Sequence, residues 1–287
     1  MLTLAPLLEK AGVDPAVTVV FRHRPPQPKL RQFLPSYVTE RPELFKAYQS
    51  AQAGQAAAML KRARFLASFI GQETDRATFA GVWRVEGYRA AAPTDVETGS
   101  PLAQLRDLGV GVVVEGEAPD LLFELADMDC YSEWVGRLMI GWPTRGISWK
   151  LWANTKVFPV RAIHEESRFV DDMPHWTELS LSWQELAHLP SSWRARISQW
   201  RGVYYIFDEE RGRGYVGSAC GEDNILGRWR DYAATGHGGN VRLRASNPEK
   251  LRFSVLEQMA LNAEPERVVK LEQTWMLRLQ TRAHGLN

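Results

Sequence analysis

A chain of 287 residues with 45% hydrophobic and 24% charged residues has the composition of a globular protein of one large or two ordinary domains, which excludes a disordered or fibrous class. Its formal charge of +1 excludes polyanion binding by bulk charge alone, so any such surface must come from local arrangement. Two cysteines, Cys130 and Cys220, with no CxxC pair, argue against a disulfide scaffold or a thiolate zinc site and fit a reducing cytoplasm. The opening "MLTLAPLLEKAGVDP" has acidic residues where a secretory leader is apolar, and no apolar run approaches the roughly 20 residues of a membrane span. A cytoplasmic protein is expected.

Up to about residue 65 the chain reads as helical, with "RPELFKAYQSAQAGQAAAMLKRARFLASF" rich in Ala, Leu, Lys and Arg. Before it, "FRHRPPQPKLRQFLPSY" reads as a proline-broken basic loop carrying Arg22, Arg24, Lys29 and Arg31, with Phe21 and Phe33 nearby. From about residue 65 to 170, short β-rich runs follow: "FLASFI", "TFAGVWRV", "GVGVVVEG", "LLFELADM", "GRLMIGW" and "KVFPVRAI". Their spacing predicts a small barrel or a strongly curved sheet. The acidic "EESRFVDDMPHWTELSLS" then reads as a connection, and "WQELAHLPSSWRARISQW" as one or two short helices. A domain boundary is expected near residue 195, giving an N-terminal domain 1–195 and a C-terminal domain 196–287.

Eight tryptophans precede that boundary: Trp83, Trp134, Trp142, Trp149, Trp152, Trp176, Trp183 and Trp193. Most are expected in the core, because a large indole is chiefly a burial device. The alternative is that the "WPTRGISWKLW" run forms a pocket for a planar group such as an extruded base, with Trp149 beside Arg145 and Lys150.

Beyond residue 200, "GVYYIFDEERGRGYVGS" predicts a hairpin, two glycine-bounded strands joined by a polar turn. Alternation along a strand means that Tyr204 and Tyr205 cannot both enter the core. Asp223 or Asn224 can cap a helix running to about Ala234, on which Arg228 and Tyr232 share a face. The last segment predicts a helix from Pro265, with Val268, Leu271, Trp275 and Leu279 on its apolar side. Glu272 falls on or beside that side, where a carboxylate needs a partner, either a metal ion or an arginine.

Taken in order, "GVYYI", "YVGS", "LGRWRDY", "LEQTW" and the closing "GLN" resemble the GIY-YIG nuclease family over residues 200–287. The resemblance implies a small α/β domain with a three-stranded sheet flanked by helices, so the fold expected for the chain is α+β in two domains. It also implies a metal-dependent endonuclease that hydrolyses DNA phosphodiester bonds. Carried over residue by residue, Tyr204 and Tyr215 are the two motif tyrosines, one of which positions or deprotonates the attacking water. Arg228 faces the scissile phosphate, Glu272 binds the metal, Mg²⁺ or Mn²⁺, and Asn287 matches the family's closing asparagine. Many members have His where this chain has Tyr232, which shifts the base chemistry toward tyrosine. Some have Lys where this chain has Gly227, a loss for which His237 could compensate.

These residue types suit the chemistry, since a guanidinium and a divalent cation stabilise the charge that develops on phosphate. Arg230, His237 and Arg242, with Arg145, Lys150 and Trp149, are the expected DNA contacts. The N-terminal strands are weakly similar to PUA-like or B3-like DNA readers, which implies a target-selecting domain, with a modified base as one candidate target; the C-terminal place of the nuclease-like module, unlike that of the excision-repair nuclease, points to a restriction or host-defence role. Cutting both strands with one site per chain calls for a homodimer or successive nicks. The competing expectations are a non-catalytic nucleic-acid binder and a structure-specific or mobile-element nuclease.

Overall fold

The computed structural model describes residues 1–71, 74–116, 118–143, 148–169, 173–221 and 224–287. The chain is α+β and divides into two compact units, Met1–Val170 and Asp171–Asn287. Among the described residues no helix is long and apolar enough to cross a membrane.

Unit 1 runs α1 (Leu4–Lys10), β1 (Thr18–His23), α2 (Pro28–Glu40), α3 (Pro42–Ser50), β2 (Ala51–Gln52), α4 (Gly54–Leu60), β3 (Phe65–Ile70) and β4 (Arg76–Ala90). It continues through α5 (Pro101–Arg106), β5 (Leu121–Asp127), β6 (Leu138–Gly141), β7 (Lys150–Trp152) and β8 (Val160–Ile163). These strands form one sheet in the order β2-β5-β4-β3-β1-β7, with β6 paired to β4 and β8 to β6. Only β1 and β3 are parallel; the other named pairs are antiparallel.

The sheet curls into a half-barrel, as expected. The long β4 carries the curl: it pairs with β3 along one side and with β5 and β6 along the other, and its register slips opposite Ser68/Phe69 and again between Val85 and Gly87. An extra residue bends a strand and raises its twist. Gly81 sits at the first slip with φ of +144°, and a Cβ there would lie 2.7 Å from the Trp83 ring. Leu4, Leu7 and Leu8 of α1 join Val20, Phe69, Phe79, Ile140, Trp142 and Phe158 in the main core.

Two expectations for unit 1 fail for physical reasons. The basic "FRHRPPQPKLRQFLPSY" is no loop: it holds the end of β1, a strand buried along its whole length, and most of α2, which starts on Pro28 and includes Pro35. Arg22 is buried because its guanidinium lies 4.9 Å over Trp142 and donates to Thr74 O at 2.7 Å. The alanine-rich stretch after residue 41 is helical as expected, apart from the two-residue β2 between α3 and α4, and "FLASFI" forms the expected strand β3. The valine run "GVGVVVEG" forms no strand, because Val113 is tied to one aspartate. Its N–H donates to Asp120 Oδ2 and its carbonyl accepts from Asp120 N, at 3.0 and 2.8 Å. Of the eight tryptophans, Trp83, Trp142 and Trp193 are buried and the other five are half-buried.

Unit 2 comprises β9 (Ser180–Ser182), α6 (Trp183–Ala187), α7 (Ser191–Ile197), β10 (Arg201–Asp208), β11 (Arg213–Ala219), α8 (Asn224–Thr235), β12 (Leu251–Met259), α9 (Pro265–Arg278) and α10 (Thr281–His284). Its sheet has the order β11-β10-β12-β9, antiparallel throughout. The expected boundary near residue 195 falls inside this unit. Ser180–Ser182 pair with β12 as a fourth strand beside the three expected, and α6 and α7 pack on α8.

Candidate active site

The β10–β11 hairpin forms where "DEERGRG" turns the chain, and its register sets Tyr204 opposite Gly217. Tyr204 is buried, with its ring lying across Gly217; a Cβ at that position would come within 2.4 Å of the Tyr204 hydroxyl. The glycine after Tyr-Val is therefore a requirement of close approach. Tyr205 points the other way, half-buried and stacked on Phe207 at 6.3 Å, as strand alternation demands.

Tyr204, Tyr215 and Tyr232 form a triangle, with ring centroids 6.4, 6.2 and 6.1 Å apart. The Tyr204 and Tyr232 hydroxyls are 3.3 Å apart and share a hydrogen bond. Phe253 closes the back of the cluster at 6.4 Å from Tyr232 and is itself packed on Trp229. Burial pushes the Tyr204 hydroxyl well above the ordinary phenol range; the neighbouring Tyr215 adds to this, and the Tyr232 hydrogen bond and the Arg228 charge oppose it. Burial raises Tyr232 further. Both hydroxyls are neutral at neutral pH.

Arg228 stands one helical turn before Tyr232 on α8 and is exposed. Its charge acts on both Tyr204 and Glu272, so the expected arginine, tyrosine and glutamate are within electrostatic range of one another. Glu272, on α9, is half-buried and makes no ion pair among the described residues. Its Oε2 accepts from Ser218 Oγ at 2.8 Å. Burial pushes its carboxyl up, opposed by Ser218, Arg228 and Arg282. Leu279, expected on the apolar side of α9, lies past the helix end and is exposed.

By alternation along β11, Ser218 faces away from Tyr215 and Gly217. Because β11 is an outer strand, groups on its two sides can meet around its edge, with the tyrosines on one side and Glu272 on the other. Ser218 was not singled out from the sequence. Its signal is its position, directly after Tyr-Val-Gly.

Asn287, matched to the family's closing asparagine, is held against β11. Its side-chain amide is bonded to the β11 main chain: Oδ1 accepts from Val216 N at 2.9 Å and Nδ2 donates to Val216 O at 2.7 Å. Leu286 N adds a bond to Gly214 O at 2.9 Å. The closing residues thus pair with the free edge of β11 in place of a strand, and fix the strand that carries Tyr215. Arg242, expected on DNA, holds this segment through a hydrogen bond to Asn287 O.

Of the other expected contacts, Arg230 is exposed on α8, and His237 Nδ1 accepts from Gly239 N at 2.9 Å within its loop. Asn224 opens α8 with its Nδ2 bonded to Ser198 O, while Asp223 and Arg145 lie outside the described residues. In unit 1, Trp149 packs edge-on against Phe21 at 4.8 Å and Lys150 lies 4.8 Å over the Trp149 ring, so this indole chiefly covers the core.

Among the described residues no three His, Cys, Asp or Glu side chains form a metal cluster. Glu272 alone fits a hard cation that keeps most of its waters, since a cation beside it would relieve the desolvation that raises its carboxyl. Comparison with protein-family models, curated proteins and solved structures finds no match to this chain.

Proposed function

We propose that unit 2 hydrolyses DNA phosphodiester bonds in the manner of the GIY-YIG nucleases it resembles, and that unit 1 selects the target, in a restriction or host-defence role. The observation that carries this reading is a half-buried Glu272, hydrogen-bonded to Ser218 but without an ion-pair partner among the described residues, within electrostatic range of an exposed Arg228 and of Tyr204 in a cluster of three tyrosines. Glu272 holds Mg²⁺ or Mn²⁺, which supplies charge stabilisation at the phosphate when bound. Arg228 binds the same phosphate and stabilises the charge that grows on it as water adds and the ester bond breaks. Tyr204 and Tyr232, held neutral by burial, act as hydroxyl donors. That leaves Tyr215, half-buried and next to both, to orient the attacking water. Double-strand cutting takes two copies of the chain or two successive nicks.

The test is incubation of the full chain with Mg²⁺ and matched DNA panels, unmodified, cytosine-methylated and hydroxymethylated, beside the Glu272→Ala variant. Discrete cutting of a panel, lowered by about 100-fold or more in the variant, is expected. Absence of cutting with equal DNA binding by both proteins would assign the chain to the non-catalytic binders.

A further inference from the structure

We infer that a cleft of unit 1 between α4 and β7 binds a nucleotide, its phosphate held by Arg62 and Lys150 and its planar base set against Trp152. The cleft encloses about 420 Å³, within the roughly 300–1,000 Å³ typical of small-ligand sites. Arg62 follows α4 and Lys150 opens β7, so two elements distant in sequence bring the two cations to one concavity. No acidic residue lines it among the described residues, and neither cation has an ion-pair partner there.

Two cations without an ion-pair partner among the described residues that line one cleft, with the Lys150 ammonium 4.8 Å over the adjoining Trp149 ring, match the charged oxygens of a phosphate group better than a single carboxylate. The walls add a preference for a flat ring. Trp152 is half-buried with Arg62 at 5.8 Å from its centroid, and Met59 supplies an apolar, adaptable surface. Indole faces stack bases without regard to sequence. The hydroxyls at the rim are already committed as donors, Ser148 to Lys150 O and Thr155 to Trp152 O, at 2.8 and 3.0 Å. The donors left to meet an anion are therefore mainly the two cations.

A phosphate joined to a planar base comes either as a free nucleotide or as one unit of a strand. The inference rests on the proposed function only in expecting the strand. The full chain, kept in EDTA so that nothing is cut, is mixed with dye-labelled single-stranded DNA, with free dAMP as competitor. A 5-iododeoxyuridine strand is photo-cross-linked in parallel and the adducts are mapped by mass spectrometry. Adducts on the Trp152 peptide are expected. Arg62→Gln and Lys150→Gln should each weaken strand binding about fivefold and lower the salt slope by about 1. Displacement by dAMP would identify the free nucleotide as the ligand's source, and its failure to displace would identify the strand. Adducts only outside the cleft, with affinity and salt slope unchanged in variants that melt like the parent, would overturn the inference. So would binding of neither probe. Because no metal is present, these results are independent of whether unit 2 cuts.

Discussion

His23 in unit 1 and Tyr204 in unit 2 are both polar rings 2% exposed, and burial drives both toward their neutral forms, His23 down to about 3 and Tyr204 upward. Their neighbours differ. His23 Nε2 meets Ser68 Oγ at 3.4 Å, Ser68 donates to Gln49 Oε1 at 2.7 Å, and Phe45, Tyr48 and Phe21 ring the imidazole edge-on. That network is neutral. Tyr204 instead lies within range of an exposed arginine and a half-buried carboxylate. A buried titratable group is a fact of packing; it becomes a candidate for chemistry when charge that can still reach solvent stands beside it.

The sharpest test of that distinction is in unit 1. His23→Leu should destabilise the protein by about 1–3 kcal/mol, since Ser68 and Gln49 lose a partner, while the hydrolysis rate per folded molecule stays unchanged. The pH dependence separates the two roles further. The unfolded chain takes up a proton on His23 near pH 6.5 that the folded chain accepts only near 3. The stability this gives is complete above about pH 6.5 and is lost as pH falls from there toward 3, at up to about 1.4 kcal/mol per pH unit. Urea melts between pH 4 and 7 should show this slope in the parent and a slope smaller by one proton in the variant. An unchanged slope would mean that His23 titrates freely.

Asn287→Ala, in unit 2, removes two hydrogen bonds to Val216 and should cost about 1–2 kcal/mol. Its effect on cutting should appear in kcat, because β11 loosens under Tyr215, with KM for DNA little changed. A raised KM at constant kcat would place Asn287 on the substrate instead.

The smallest contrast is between adjacent tyrosines. Tyr204→Phe deletes the hydroxyl paired with Tyr232 and should slow hydrolysis about tenfold, in the range of a single proton-positioning group. Tyr205→Phe, on the opposite face, should leave the rate and the melting temperature within error. Equal losses in both would erase the facing that the hairpin register sets.

How much was legible follows the range of the forces involved. The hairpin, α8 and α9 were readable because glycines, capping residues and periodicity act within a few positions, and the alternation that separates Tyr204 from Tyr205 is local geometry. Glu272 was readable as a carboxylate needing a partner, but its partner Ser218 was not, being 54 positions away. Arg22 misled for the same reason, since the groups that make its burial tolerable, Trp142 and Thr74, come from distant parts of the chain.

The sequence by itself determined the hairpin, α8 and α9 of unit 2 and the pattern of polar residues within them. Tertiary structure alone decided that β1 is a buried strand, that the 109–116 valines form no strand, that Asn287 binds a strand edge, and that Arg62 and Lys150 line one cleft. The reason is physical: propensity and alternation are set by adjacent residues, whereas desolvation, edge pairing and charge convergence depend on which distant segments the fold brings within a few ångströms.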